Sequence, residues 1–288
     1  MPDQALEVAV VHHRTPELLA RALERLATAA PTTLVRVVDT AFDPTLASQL
    51  DGAHPRLEWL SVPNHSYSAA VNAAARAARQ PLLLQMNADV LVTEDTLPEL
   101  RRALEEPSVA AAGPLPMTAD GRLQDMGLPY RWHYARARWR GRGRGGGVEV
   151  PWLAGCVQLL RLDALHAVGG FDPRLRFYNE DLEWCVRARR AGWRCRLVAT
   201  EVVHLGGASG TARLTFRLEG LRGGYAFTRR HGPAWLRPLH RWGLAAGAWA
   251  TAQLSGEPRL RSAWRDLALR SARDELERSC FGPQLETD

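Results

Sequence analysis

The alternation of strand-like and helix-like segments over residues 7–86 constrains the fold of this chain more than any other sequence feature. Short apolar runs suited to buried strands are separated by segments whose apolar residues recur at helical spacing. The predicted strands are residues 7–12, 34–39, 57–62 and 81–86, and the predicted helices are residues 16–30 and 66–79. Strands that alternate with helices predict an α/β fold with a parallel sheet covered on both faces.

Polar side chains follow these predicted strands, at the edge where parallel α/β sheets bind their ligands. They are His12, His13, Arg14, Asp39, Asn64, Asn87 and Asp89. The first strand is followed by HHRTPE at residues 12–17, without the glycine-rich turn that brings the backbone close to a pyrophosphate. The sequence therefore excludes a dinucleotide-binding fold of that type.

Asp89 ends a buried apolar strand, where an unpaired carboxylate would carry a large desolvation penalty. It therefore faces an open cleft or a cationic partner. A divalent metal is one candidate, because carboxylates together with phosphate oxygens are usual ligands of Mg²⁺. Capping of the following helix is the alternative.

Two further polar groups stand in the second half of the chain. Glu180 and Asp181 begin a predicted helix, where acidic side chains are stabilised by the helix dipole. His204 follows another strand-like stretch. Each has an ordinary structural explanation, but together with Asp89 they suggest one polar site.

The charge of the chain comes entirely from arginine and is unevenly distributed. There is no lysine, and 37 arginines against 31 acids give a formal net charge of +6. Residues 131–144 hold six arginines and no acid, and residues 213–241 hold seven arginines and one glutamate. The net charge alone would suggest a nucleic-acid partner. We expect none, because the arginines lie outside any reading motif and the predicted cleft is acidic.

These segments, taken in order, resemble family 2 of the glycosyltransferases, which are inverting enzymes with the GT-A fold. Within the family they resemble the rhamnosyltransferase-like branch, over residues 7–212. The matching segments are VVHHR at 10–14, VVD at 37–39, NHSYSAAVN at 64–72, NAD at 87–89, GGFD at 169–172, FYNEDLEWCVR at 177–187 and VHLGGAS at 203–209. The departures cluster in the nucleotide half: His12-His13 replaces Tyr-Asn, Thr40-Ala41-Phe42 replaces Asn-x-Ser, and His65-Ser66 lacks the usual glycine.

The resemblance implies a nucleotide-diphospho-sugar transferase fold with a mostly parallel central sheet flanked by helices and a helical C-terminal tail. It implies a GT-A catalytic domain over residues 1–212. The nucleotide half would cover about 1–115 and the acceptor half about 116–212. Residues 213–288 would form a helical, basic extension.

The resemblance also implies roles for individual residues. Asp181 would be the general base that deprotonates the acceptor hydroxyl, with Glu180 as its neighbour or alternative. Asp89 and His204 would hold Mn²⁺ or Mg²⁺, and Asp39 would accept a hydrogen bond from the imide N–H of uracil or thymine. The implied nucleotide-sugar contacts are His12, Arg14, Asp39, Asn64, Asn72, Asn87 and Asp89. The implied acceptor contacts are Trp152, Gly155, Arg142 and Arg144.

The expected reaction is transfer of a sugar from a dTDP- or UDP-sugar, rhamnose-like sugars included, to a hydroxyl of a glycan or lipid-linked acceptor. The alternatives are a catalytically inactive relative that binds nucleotide sugars and, less favoured, a nucleotidyltransferase. The changes at His12-His13 and Thr40 motivate the first alternative. The sequence leaves the oligomeric state open.

The expected location is the cytoplasm. The N-terminal segment resembles no secretory signal, the weakly polar run at 242–254 is too short to span a bilayer, and the four cysteines show no C-x-x-C spacing. The resemblance implies that residues 131–147 form a mobile loop near the acceptor. The arginine- and tryptophan-containing strip at 213–241 suits peripheral contact with an anionic membrane or packing on the catalytic domain.

Overall fold

The computed structural model describes residues 5–127, 130–141, 147–206 and 213–277. The chain divides into two units. Unit 1 comprises Met1–Asn64, Ala69–Phe171 and Asp181–Ala208, and unit 2 comprises His65–Ser68, Asp172–Glu180 and Ser209–Asp288.

Unit 1 is built on a mixed β-sheet. Its strands are β1 Leu6–His12, β2 Leu34–Asp39, β3 Leu57–Ser61, β4 Leu82–Asn87, β5 Val90–Leu91, β6 Val109–Met117, β7 Val148–Glu149, β8 Val157–Arg161 and β9 Arg194–His204. The order is β3-β2-β1-β4-β8-β6-β9-β5, and β7 pairs with β9. Strands β1 to β4 run parallel, as the alternating pattern predicts, whereas β8 runs antiparallel to both β4 and β6.

Helices connect and cover these strands. They are α1 Pro16–Ala29, α2 Pro44–Gln49, α3 Tyr67–Ala77, α4 Thr96–Ala103, α5 Tyr130–Gly141, α6 Leu162–Val168 and α7 Glu180–Arg190. In α1, Leu19, Leu23 and Leu26 are fully buried and pack against the apolar side chains of the sheet. This α/β architecture is the predicted GT-A class of fold, and every strand and helix predicted between residues 7 and 86 is present.

The register of the sheet brings several strand ends together. Val11 of β1 pairs with Val38 of β2 on one side and with Asn87 of β4 on the other. On the far side of the sheet, β5 pairs with β9 so that Val90 lies opposite His204. Polar residues far apart in sequence therefore end at the same edge of unit 1.

The first arginine strip differs from its predicted structure. Residues 130–141 form helix α5 rather than a loop, with Tyr134 and Ala137 buried and Arg131, Arg136 and Arg140 exposed. Two buried positions three residues apart anchor one side of this helix, and its many arginines hide that pattern in the sequence. Arg142 and Arg144 lie outside the described residues.

Unit 2 contains three long helices, α8 Arg213–His231, α9 Leu236–Leu254 and α10 Pro258–Ala272. Their shared core includes Leu218 and Tyr225 of α8, Ala248 of α9, and Trp264 and Leu267 of α10. None of the helices in the described residues has both the length and the apolar composition needed to cross a bilayer.

Candidate active site

Asp181 is held by backbone groups at the start of α7. Its Oδ2 accepts a hydrogen bond from the Gly155 N–H at 2.6 Å, and its Oδ1 accepts one from the Leu182 N–H at 2.7 Å. Only 8% of the residue is exposed. Burial raises the pKa of the Asp181 carboxyl, although the two N–H groups stabilise its ionised form and oppose that shift. The result is a fixed carboxylate with increased basicity.

The segment that approaches Asp181 is anchored by aromatic side chains. The ring of Trp152 lies 4.9 Å from that of Tyr130 and 5.8 Å from that of Tyr134, measured between centroids. The hydroxyl of Tyr134 accepts a hydrogen bond from the Ala154 N–H at 2.6 Å. These contacts fix the backbone of residues 152–155, whose last N–H positions Asp181.

Asp89 and His204 face each other at the end of the sheet. Asp89 Oδ1 lies 3.2 Å from His204 Nε2. This Asp89 oxygen is buried and has no fully formed hydrogen bond among the described residues. Burial by itself would lower the pKa of His204, but the Asp89 carboxylate and the Cys156 thiol raise it to about 10. The two side chains therefore form an ion pair.

Gln124 orients the His204 ring. Its Oε1 lies 2.7 Å from His204 Nδ1 and, being an amide oxygen, accepts the Nδ1 proton. The Gln124 N–H donates in turn to Pro116 O at 2.9 Å, which places this residue beside β6. With Nδ1–H engaged, Nε2 is the nitrogen directed at Asp89.

These donor atoms fit a divalent metal. A carboxylate and an imidazole nitrogen converge, and Asn87 Oδ1 nearby in sequence is a second buried oxygen without a hydrogen-bond partner among the described residues. Within that part of the chain, no three His, Cys, Asp or Glu side chains are grouped to hold a metal by themselves. The remaining ligands would come from the donor diphosphate and water.

Strand β4 holds the backbone of the segment that lies between the Asp181 site and this pair. Gln85 Nε2 donates to Gly155 O, and the Asn87 N–H donates to Cys156 O, each at 2.9 Å. Gly155 contacts Asp181, and the Cys156 thiol interacts with His204. Two residues adjacent in the chain, Gly155 and Cys156, thus contact the predicted base and a predicted metal ligand, respectively.

The strand ends at β1 and β2 form a buried polar cluster. His12 accepts the Thr15 N–H at Nε2, so its proton is on Nδ1, which lies 3.2 Å from Asp39 Oδ1. Burial lowers the pKa of His12 despite the neighbouring carboxylate, in agreement with a neutral imidazole. Asp39 also accepts hydrogen bonds from the N–H groups of Ala41 and Asp43 and is only 2% exposed. Its carboxylate therefore shapes the turn after β2.

The other predicted nucleotide contacts occupy different environments. Arg14 is exposed in a left-handed conformation, and Asn64 is half-buried after β3. Asn72 bonds to the backbone of Phe171 in both directions, through Nδ2 to O at 2.7 Å and through Oδ1 to N–H at 2.9 Å. Asn72 thus anchors the GGFD loop of residues 169–172, with both ends of its amide engaged.

Comparison with known proteins identifies the chain. Residues 2–217 match the profile of glycosyltransferase-like family 2. The chain belongs to glycosyltransferase family 2. This membership favours the predicted glycosyltransferase over the nucleotidyltransferase alternative.

Solved structures share the fold of this glycosyltransferase. The mannosyltransferase PcManGT from Pyrobaculum calidifontis, in complex with GDP-Man and Mn²⁺, has a TM-score of 0.62 at 18% identity, over 95% of this chain and 87% of its own. GalNAc-T7 with UDP, GalNAc and Mn²⁺ has a TM-score of 0.61 at 13% identity, over 98% and 59%. S. aureus TarS 1–349 has a TM-score of 0.54 at 14% identity, over 95% and 88%.

One curated relative also matches. The O-antigen biosynthesis protein RfbC of Myxococcus xanthus is 29% identical over 158 residues, which is 50% of this chain. The chain spans only 12% of the length of that protein. The match therefore concerns one segment of that protein.

Two residues of the candidate site, Gln124 and Tyr134, were not predicted from the sequence. Gln124 and Tyr134 lie outside the matching segments, and each acts through one hydrogen bond to a residue distant in sequence. A lone glutamine after a strand carries no pattern. For Tyr134, the only signal is its place in a helix rich in aromatic residues.

Proposed function

We propose that this enzyme, working in the cytoplasm, moves a sugar from a dTDP- or UDP-sugar to a hydroxyl of a glycan or lipid-linked acceptor with inversion at the anomeric carbon. Rhamnose-like sugars are included among the donors. The observation that carries the proposal is the buried Asp181 carboxylate, fixed by two N–H groups and linked through Gly155 and Cys156 to the Asp89–His204 pair. RfbC, a protein of O-antigen biosynthesis, supports a polysaccharide acceptor.

Asp181 is proposed as the general base. In an inverting single displacement, a carboxylate removes the proton of the acceptor hydroxyl while that oxygen attacks the anomeric carbon. Its raised pKa makes Asp181 a stronger base than an exposed aspartate. Trp152 and Gly155 would border the acceptor, and Glu180 is the neighbouring carboxylate and alternative base.

Asp89 and His204 are proposed to hold Mn²⁺ or Mg²⁺, which two structural relatives make plausible because they were solved with Mn²⁺. When bound, such an ion stabilises the negative charge of the leaving diphosphate. Asn87 would contribute its unpartnered oxygen to the same region. Binding requires His204 to release its Nε2 proton while Gln124 keeps Nδ1–H in place.

The nucleotide contacts are proposed at the ends of β1 and β2. Arg14, exposed beside this edge, would meet the diphosphate or ribose, and Asn64 would line the same side. His12 and Asn72 would act by holding the turn and the GGFD loop that frame the donor. Asp39 would accept the imide N–H of the nucleobase. Its carboxylate already accepts three hydrogen bonds, so this contact requires one further lone pair.

The test is a screen of nucleotide sugars with the purified chain, in Mn²⁺ and in EDTA, with release of nucleoside diphosphate and transfer to acceptors as readouts. We expect turnover of dTDP- or UDP-sugars with Mn²⁺ only. Asp181→Asn should reduce transfer by about 10²–10⁴ while donor binding persists. Asp89→Ala should remove the dependence on Mn²⁺ together with the activity.

Asp51→Asn, an exposed aspartate outside the site, is the matched control and should behave as the unaltered chain. Normal transfer by Asp181→Asn would show that another residue is the general base. Full activity of Asp89→Ala in EDTA would contradict the metal role.

A further inference from the structure

Helix α9 buries its smallest apolar side chains and exposes its largest. Ala245, Ala248 and Ala252 face the interior of unit 2. Exposed are Trp235, the N-cap residue of α9, at 66%, and within the helix Leu239 at 62%, Trp242 at 53% and Trp249 at 49%. This is the reverse of the usual arrangement, in which large apolar side chains fill a core. An exposed apolar group of this size signals a binding surface.

The exposed side chains form one continuous stripe. Trp235, Leu239, Trp242 and Trp249 are spaced by four, three and seven residues, so they project from the same side of the helix. Along α9 the stripe is extended by exposed Ala246. We call these five residues the tryptophan face. It is about 21 Å long at the rise of an α-helix.

Arginines border the tryptophan face, and acids are absent from the helix that bears it. The Arg241 guanidinium lies 4.8 Å from the ring centre of Trp242, and that of Arg265 lies 5.9 Å from the ring centre of Trp249. Residues 236–254 contain no Asp or Glu. Apolar and cationic groups are therefore presented together.

We propose that the tryptophan face docks α9 in the surface of an anionic lipid bilayer, with the helix axis in the membrane plane. Tryptophan rings favour the interface between headgroups and acyl chains, and flanking arginines attract anionic headgroups. The helix is not apolar enough to cross the membrane, in keeping with binding along its surface. The basic rim favours this occupant over a second copy, because a two-fold contact would oppose like charges.

This inference goes beyond the proposed reaction and does not depend on it. The sequence left open whether residues 213–241 contact a membrane or pack on the protein, and the structure shows that different residues of this strip are buried and exposed. Leu218 and Tyr225 in that strip are buried in the core of unit 2, whereas Trp235, Leu239 and Trp242 are exposed. The membrane-binding surface is thus limited to α9 and its rim, and Trp249 joins it from outside the strip.

The test is co-sedimentation of the full chain with vesicles of phosphatidylcholine, with and without phosphatidylglycerol, which requires no enzymatic activity. We expect binding to the anionic vesicles, weakened by salt. Trp242→Ser/Trp249→Ser should weaken it by roughly tenfold or more, because apolar burial is lost. Arg265→Gln should weaken it by about fivefold, because one arginine beside Trp249 is lost.

Matched controls distinguish vesicle binding by the tryptophan face from non-specific apolar or electrostatic adsorption. Arg21→Gln/Arg25→Gln removes two exposed arginines from α1, and Phe42→Ser removes an exposed aromatic side chain from unit 1. Both should bind vesicles as the unaltered chain does. Unchanged vesicle binding by the tryptophan double variant would overturn the proposal. So would a dimer in light scattering that this variant converts to a monomer, since the face would then be an interface between copies.

Discussion

Gly155 has no room for a side chain on the side that faces Asp181. A Cβ atom there would lie 3.1 Å from both Cβ and Oδ2 of Asp181, closer than side-chain contacts normally come. Gly155→Ala should displace the carboxylate and lengthen its hydrogen bond to the residue 155 N–H. We expect kcat to fall by about tenfold or more with little change in donor KM, because the base is misplaced while the nucleotide edge is intact.

The control for this change is Gly256→Ala, at a position where a Cβ meets no atom within 4 Å. It should leave kinetics and thermal stability unchanged. A donor KM that rises while kcat stays constant in Gly155→Ala would place Asp181 in donor binding instead of base catalysis.

A second prediction follows from the hydrogen bond between Gln124 and His204. If its Oε1 fixes the His204 tautomer, Gln124→Ala should weaken Mn²⁺ binding by about tenfold to a hundredfold, measured by calorimetry on the chain without substrate. Gln124→Glu keeps an acceptor oxygen at the same place and should preserve binding. Equal Mn²⁺ affinity in Gln124→Ala and the unaltered chain would show that the ring is held by other contacts.

The raised pKa of Asp181 leads to a prediction about the pH dependence of the reaction. A general base must be ionised, and burial raises the pKa of this carboxyl above its ordinary value of 3.8. Activity should therefore be lost as the pH falls through that raised pKa, so the acid limb of kcat/KM lies above the value for an exposed aspartate. Circular dichroism over the same range separates this loss from acid unfolding. An acid limb at the ordinary aspartate value would contradict the assignment.

At the scale of elements, the sequence predicted best where one periodicity dominated. The buried strands β1, β2 and β4 are continuous apolar runs, and α1 carries its apolar residues on one side, so each was found within two residues of its observed ends. Their polar ends meet because parallel strands share an edge. Proximity of Asp39, Asn87 and Asp89 to the same edge was therefore predictable.

Elements whose character depends on distant partners were predicted less well. Helix α5 was expected to be a loop, since its arginines mask the two positions, Tyr134 and Ala137, that anchor it. The sequence also did not reveal that the amide of Asn72, a predicted nucleotide contact, holds the backbone of Phe171, a residue 99 positions away. Contacts of that range arise only when the sheet has assembled, so a local pattern carries no trace of them.

In the whole molecule, the arginines that give the net charge of +6 have different roles. Arg265 is exposed beside Trp249 of the tryptophan face, whereas Arg222 is only 1% exposed and holds unit 2 together. Arg222 pairs with the buried Glu219 at 2.8 Å and donates to the carbonyl oxygens of Leu276 and Arg174. A single charge count therefore predicts neither membrane binding nor stability.

Arg222 also ties α8 to the segment that leads along the chain into Asp181. Its bond to Arg174 O is joined by one from Asn179 Nδ2 to Gly220 O at 3.0 Å, both within unit 2. Removal of residues after 212 would take away these partners, so point variants on α9 are the cleaner test of membrane binding. Arg222→Met should lower the free energy of unfolding by about 3–5 kcal/mol in urea denaturation, because it breaks a buried ion pair. Arg273→Met, at an exposed arginine of the same unit, should change it little, and equal stability of the two variants would show that the buried pair does not support unit 2.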